Sequence, residues 1–298
     1  MNERIYDMLI IGGGPGGYTA ALYAARAGMS AAVLEKMSAG GQMAESPQID
    51  NYPGIVEGTD GFSLGMQMQS HAEKYGAETH LTEVTKLNLT EPIKTVETDS
   101  GIFRGKTVVI ATGATPKKLN VPGEAELTGR GVHYCAACDG MFYRNKTVAV
   151  VGGGNTAAAD ALLLSRVAKK VLLIHRRDSL RASRVYHKPL LEAENVEFLW
   201  NSAVTQIRPG EITVNGTQNI PCDGVFVAIG REPETALVKD SLYLDEQGYI
   251  LAGESTATNL PGVYAVGDVR TKALRQIITA AADGAAAVHQ AEAYLAEL

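Results

Sequence analysis

The feature that most limits what this chain can fold into occurs twice. The apolar run Met8-Leu9-Ile10-Ile11 leads into Gly12-Gly13-Gly14-Pro15-Gly16-Gly17, then into Tyr18 to Ala27, rich in Ala and Leu, with Gly28 as a stop. Ala31 to Leu34 follows as a second apolar run ending at Glu35. The same order recurs with Val148 to Val151, the turn Gly152-Gly153-Gly154-Asn155-Thr156-Ala157, the helical stretch Ala158 to Val167 and the run Val171 to Ile174. Each copy predicts strand, tight turn, helix, strand. From Gly12 to Glu35 is a step of 23 residues, and from Gly152 to His175 it is again 23, so Glu35 and His175 stand at equivalent strand ends. One G-x-G-x-x-G is a weak signal. Two copies, each between a strand and an Ala-rich helix, predict an α/β chain with two Rossmann-like dinucleotide-binding domains.

The segments around the two units complete the plan. Between them lie loop signals at Asn51-Tyr52-Pro53-Gly54, a helix expected over Gly61 to Tyr75, and a strand from Thr107 to Ala111 ending at Thr112-Gly113. After the second unit come strands expected over Val225 to Ile229 and Val263 to Val266, then an Ala-rich helix from Ile277 to Leu295. No low-complexity linker separates the halves. The boundaries are expected in the loops after Gly113 and Gly230, giving a discontinuous domain of residues 1–114 and 230–298 around an inserted domain of 115–229.

In such a unit the first glycine (Gly12, Gly152) permits the turn and the second (Gly14, Gly154) lets backbone approach a pyrophosphate. The third small residue (Gly17, Ala157) packs helix on strand; Pro15 and Asn155-Thr156 belong to the same turns, and the N-terminus of the helix that follows faces the anion. An acid at the end of the second strand accepts hydrogen bonds from a free ribose. Glu35 fits, so the first site is expected to take FAD or NAD. The second site has His175-Arg176-Arg177 instead, with Arg181 four residues on. Guanidiniums clamp a 2′-phosphate where a carboxylate would repel it, so this site reads as NADPH, against the alternative of a solvated basic strand end. One free-ribose site and one NADPH site together suggest a flavoprotein fed by a nicotinamide; a pair of nicotinamide sites is the less natural reading.

Charge and cysteine usage narrow the setting. With 27 basic and 33 acidic residues the net charge is −6, so there is no broad cationic surface for a nucleic acid. Three cysteines, Cys135, Cys138 and Cys222, are too few for a secreted disulfide framework. The N-terminal residues lack the pattern of a signal peptide, and no apolar run approaches the ~20 residues of a spanning helix. A cytoplasmic protein without membrane attachment is the expectation.

Cys135-Ala136-Ala137-Cys138-Asp139 is open to three readings: a redox dithiol, half of a zinc site, or two inert buried cysteines. A zinc site would have to draw on Cys222 and His133 as further ligands, and no second Cys-x-x-Cys exists to complete the set. A redox dithiol agrees best with an implied flavin, and Cys222 reads as structural. Asp139 either supplies the proton that a reduced disulfide needs or is an ordinary Asp-Gly turn residue with Gly140.

Taken in order, Gly12 to Gly17, Gly40-Gly41-Gln42, Asn51-Tyr52-Pro53-Gly54, Ala111-Thr112-Gly113, Cys135 to Gly140, Gly152 to Ala157, His175-Arg176-Arg177-Asp178 and Gly267-Asp268 resemble the low-molecular-weight, bacterial-type NADPH-dependent thioredoxin reductases, over nearly the whole chain. The resemblance implies electron flow from NADPH through FAD and the Cys135/Cys138 disulfide to the disulfide of thioredoxin or a thioredoxin-like protein. It implies a homodimer, an FAD domain made of both chain ends, and an NADPH domain in the middle. It also implies that Gln42 and Asn51 approach the flavin, that Asp268 contacts its ribityl chain, that Arg275-Gln276-Ile277 lies near the ring, and that Ala111-Thr112-Gly113 and Gly267 meet the cofactor with their backbone. Cys138 would face the flavin and Cys135 attack thioredoxin. Cys135 stands 17 residues before Gly152, so the dithiol belongs with the NADPH domain, and rotation about the two crossings would bring each in turn to the flavin.

Two departures from the family pattern stand out: Arg184 to Pro221 is short, with tight turns at Arg208-Pro209-Gly210 and Val214-Asn215-Gly216, and the dipeptide inside the redox motif is Ala-Ala where Ala-Thr is common. Rival readings are a flavin dithiol oxidase or a ferredoxin-fed reductase, neither of which needs the second fingerprint, and a non-catalytic nucleotide-sensing flavoprotein, which does not need the Cys-x-x-Cys-Asp sequence.

Overall fold

The computed structural model describes residues 4–298. They divide into two compact units: one runs up to Thr115 and resumes at Glu232–Leu298, the other is Pro116–Arg231.

In the outer unit the strand Ile5–Ile11 lies between Ala31–Glu35 and Gly101–Ile110, parallel to both, and Glu78–Leu81 extends the sheet beyond Ala31–Glu35. Gly101–Ile110 serves two neighbours along its other edge. Its first half pairs antiparallel with Lys94–Thr98 and its last residues pair parallel with Val263–Ala265. Side chains alternate across a strand, so Met8 and Ile10 enter one core with Tyr18, Val33 and Val109, while Leu9 and Ile11 enter another with Leu34, Val108 and Ile110. Helices Pro15–Arg26 and Ile277–Ala296 cross through glycines: a Cβ on Gly284 would overlap the Gly16 carbonyl oxygen.

The inner unit repeats the plan. Its parallel sheet runs Val196–Leu199, Lys170–Ile174, Thr147–Val151, Gly224–Val227, Val132–His133. Val148, Val150 and Phe226 pack on one side against helix Asn155–Ser165; Ala149, Val151 and Val225 pack on the other against Ile212 and Val214. Those last two belong to a three-stranded antiparallel sheet, Val204–Arg208, Glu211–Val214 and Gln218–Pro221. Its turns fall at the expected places, with Gly210, Asn215 and Gly216 at positive φ.

Some boundaries differ from the sequence expectation for local reasons. The two nucleotide-site helices begin three residues early, at Pro15 rather than Tyr18 and at Asn155 rather than Ala158. Proline suits the first helical position because its φ is preset and its missing N–H has no acceptor there. The strand expected to reach Ile229 ends at Val227, where Ala228 turns to close on Gly152. The crossings are not loops: Ala114–Pro116 and Arg231–Pro233 pair as a two-stranded ribbon.

Candidate active site

The first glycine turn is built around crowding on one side and space on the other. Gly12 has φ +103°, and a Cβ there would stand 2.5 Å from the Ala111 carbonyl oxygen; a Cβ on Gly17 would overlap the Gly12 carbonyl. Gly14, by contrast, has nothing within 4 Å of where a Cβ would point, and as N-cap of Pro15–Arg26 it offers the first helical N–H groups no side-chain acceptor. An open backbone at an uncapped helix N-terminus suits an anionic diphosphate. Gly40 donates to the Gly13 carbonyl at 2.8 Å, and Gly41 approaches Gly14, so the turn carrying Gln42 closes the same cradle. Glu35 is buried, with its carboxylate held by the N–H groups of Gly13 (2.6 Å) and Met37 (3.0 Å). A carboxylate offers about four acceptor positions, so capacity for a ribose remains.

Residues far apart in sequence join this cradle's unit. Asn51 Nδ2 donates to Gln276 Oε1 at 3.0 Å. Gln276 also caps the helix Ile277–Ala296 through a reciprocal box with Thr279. Arg275 lies over the Tyr249 ring at 4.1 Å, and its Nε is buried without a partner. Gly267, at φ +73°, opens the short turn Gly267–Val269 that contains Asp268. Thr112 Oγ1 donates to the Glu234 carbonyl (2.7 Å) and the Gly113 carbonyl accepts from Glu234 N–H (3.0 Å), which fixes this end of the crossing ribbon.

Sequence reasoning missed what holds the Gly267 turn. Asp283, buried in the C-terminal helix, accepts from Gly267 N–H at 2.9 Å, from Arg270 Nε and Nη2 at 3.0 and 2.6 Å, and from Lys272 Nζ at 2.7 Å. Burial alone would raise its pKa, but the Arg270 and Lys272 bonds outweigh it and hold the carboxyl below its ordinary value. The only signal in the sequence was an acid inside an alanine run.

The second turn repeats the first with one change. Gly152 has φ +153°, a Cβ on it would overlap the Ala228 carbonyl, and Gly154 is again open at an uncapped helix N-terminus. His175 is buried with its ring against Gly153, where the first site has Glu35. Its Nε2 is buried without a partner. Burial, then the charges of Arg181, Arg177 and Arg176, push its pKa down, so the imidazole is neutral near pH 7. Arg176, Arg177 and Arg181 are exposed around it. Asn155 Oδ1 accepts from Ser183 N–H at 2.7 Å, and the Gly153 carbonyl accepts from Arg181 and Ala182 N–H, so the arginine loop is tied to the glycine turn. Thr156 is exposed and Ala157 is buried under the helix. A cationic rim around a neutral ring fits a phosphorylated ribose better than a free one.

Downstream of strand Val132–His133, Cys135 caps the short helix Ala136–Asp139 and is bonded to Cys138 as a disulfide. Asp139, which follows Cys138 in the chain, is buried, while Cys138 is exposed. Its Oδ2 lies 3.0 Å from His133 Nδ1, and His133 Nε2 lies 2.7 Å from the Tyr143 hydroxyl. Both sulfurs and both ring nitrogens that a zinc site would have used are thus engaged with each other or with protein groups. Cys222 is free and buried among Val225, Ile207 and Ile212, and burial pushes its thiol up to about 11, as suits a packing residue.

Comparison with known proteins agrees with this arrangement. The family described as pyridine nucleotide-disulphide oxidoreductase matches residues 6–284. A thioredoxin reductase of Peptoclostridium litorale is 42% identical, with 99% of each chain covered, and one of Listeria monocytogenes is 42% identical over 99% of this chain and 96% of its own. The crystal structure of thioredoxin reductase from Streptococcus pyogenes superposes with a TM-score of 0.93 at 41% identity, with 99% of each chain covered.

Proposed function

We propose, from the premise that this chain belongs to the pyridine nucleotide-disulphide oxidoreductase family, a division of labour among its residues in a thioredoxin-disulfide reductase. The enzyme is an oxidoreductase that uses a flavin and a nicotinamide nucleotide. The observation that carries the reading is the Cys135–Cys138 disulfide beside buried Asp139, within the unit that also carries the second glycine turn.

In this reading the outer unit, Gly12 to Gly17 with Glu35, Gln42, Asn51 and the 267–277 segment, holds FAD, and the inner unit holds NADPH through Gly152 to Ala157 and Arg176, Arg177 and Arg181. The bound flavin supplies the two-electron relay between a dihydronicotinamide and a disulfide. Cys135 attacks the thioredoxin disulfide and Cys138 resolves the mixed disulfide, while Asp139 holds the proton that moves to and from sulfur. Dithiol and nucleotide turn share one unit, so they take turns, and the paired crossings are where the unit pivots. The functional form is a homodimer in the cytoplasm; among the described residues no helix is long and apolar enough to cross a membrane.

An anaerobic titration tests the reading. NADPH bleaches the flavin absorbance of the purified protein, and oxidised thioredoxin restores it. Bleaching without recovery would refute the thioredoxin step, and no bleaching would refute the nucleotide assignment.

A further inference from the structure

We propose that the buried chain Tyr143–His133–Asp139 is a proton relay for the Cys135–Cys138 disulfide, with His133 positioning the Asp139 carboxyl and holding its proton. The proposal deepens the thioredoxin reductase reading and rests on it.

Hydrogen bonding, ring packing and chain position support it. His133 is 4% exposed, and both its ring nitrogens are engaged, Nδ1 with Asp139 Oδ2 at 3.0 Å and Nε2 with Tyr143 Oη at 2.7 Å. The ring is packed on two sides: Phe226 stacks on it with centroids 5.3 Å apart, and Tyr143 meets it edge-on at 5.2 Å. Asp139 follows Cys138 directly in the short helix that Cys135 caps.

Such a chain accepts one extra proton without losing a hydrogen bond. With the carboxyl ionised, His133 Nδ1–H donates to Asp139 and Tyr143 O–H donates to Nε2. With one proton added, Nε2–H donates to the Tyr143 oxygen, whose hydroxyl swings from donor to acceptor. Tyr143 itself stays protonated, because burial, then the charge of Asp139, with smaller contributions from Cys222 once ionised and from Asp223, pushes it up to about 12. Lys146 is a further charged neighbour, its ammonium 5.3 Å from the Tyr143 ring centre.

The balance closes over one turnover. Two electrons, for which a bound reduced flavin would be the donor, break the S–S bond, and the proton held by Asp139 and His133 goes to the Cys138 sulfur. This leaves a Cys138 thiol and a Cys135 thiolate. Cys135 attacks the thioredoxin disulfide and displaces one of its sulfurs as thiolate. Cys138 then returns its proton to Asp139, attacks Cys135 and releases the second thioredoxin sulfur, and the two thioredoxin thiolates take their protons from solvent. The pair acts as acid in one half-reaction and as base in the other.

His133→Asn, whose amide can still donate to Asp139 but cannot take up a proton, separates relay from mere support. Thioredoxin turnover is followed from pH 5.5 to 9, with NADPH bleaching of the flavin as control for folding and nucleotide binding. The expected result is kcat about tenfold lower at pH 7, the pH midpoint moved by about one unit, and KM for thioredoxin unchanged. Tyr143→Phe, which keeps the imidazole, is expected to lower kcat by about threefold. If His133→Asn does not fold, Tyr143→Phe alone decides. A pH profile superimposable on wild type in the variants that bleach with NADPH overturns the relay. Failure of the wild-type protein to pass electrons to thioredoxin overturns the underlying reading instead.

Discussion

Asp283 shows how much one side chain can hold. Its folded pKa is depressed, so its contribution to stability is present above the ordinary carboxylate range and is lost as pH falls through the folded value. Asp283→Asn leaves Arg270 and Lys272 buried without their carboxylate, a loss expected to cost about 3–5 kcal/mol at pH 7 and progressively less as pH falls below the ordinary carboxylate range, measured by denaturant unfolding. Asp160 has the opposite sign. Burial raises it to about 6 against the pull of Arg231, so its favourable term is present at low pH and lost as pH rises through 6. Asp160→Asn is expected to raise Tm at pH 8, to raise it less at pH 5, and to leave it nearly unchanged at pH 3, below the ordinary carboxylate value. At the arginine rim, replacing Arg176 and Arg177 with Ala is expected to raise KM for NADPH at least tenfold and KM for NADH little; equal rises would refute the phosphate clamp. Glu35, His175 and these arginines were legible from sequence because local spacing alone places them. Asp283 was not, because its three partners reach it only when the C-terminal helix folds back over the Gly267 turn. The His133–Tyr143 bond depends in the same way on where a two-residue strand delivers its last side chain.

Among elements, the glycine turns separate packing from binding. Gly14 and Gly284 are both glycines of the outer unit, yet only one has room. Gly14 adopts φ −76°, open to any residue, and faces empty space. Gly14→Ala is therefore expected to keep its Tm as apoprotein but to retain flavin at least tenfold less tightly, read by equilibrium dialysis. Gly284→Ala drives a methyl into the backbone of the neighbouring helix and is expected to cost about 1–3 kcal/mol in thermal unfolding. The glycine clusters marked both turns in the sequence, but which glycine is crowded depends on Ala111, Ala228 and the helix crossing, none of which is near in the chain. The helix starts at Pro15 and Asn155 were missed for a related reason: glycine and asparagine read as turn residues until a strand end fixes the direction of the first helical turn.

At the scale of the whole molecule the nesting is the organising fact. Thr115 Oγ1 donates to the Glu232 carbonyl at 3.5 Å, so the two cut ends of the outer unit already lie side by side. A protein with Pro116–Arg231 removed and Thr115 joined to Glu232 by a short Gly-Ser linker is expected to fold and carry flavin absorbance but to reduce no thioredoxin. An unfolded product, by circular dichroism, would show that the outer unit is not autonomous. Nesting was readable from the two fingerprints and their flanking strands. That the crossings pair as strands was not, because Ala114–Pro116 and Arg231–Pro233 are too short and too polar to carry a period.

The strand Gly101–Ile110 gives this nesting an order in time. Its edge at Val108, Val109 and Ile110 is completed only by Val263–Ala265, roughly 150 residues later in synthesis. At about 5–20 residues per second, that edge stays open on the ribosome for roughly 8–30 s. The inner unit has all its strands by Val227 and can close while the outer sheet is still waiting. The chain therefore builds its redox unit first, and a nascent protein stalled before Val263 would display an apolar, unpaired sheet edge to whatever meets it.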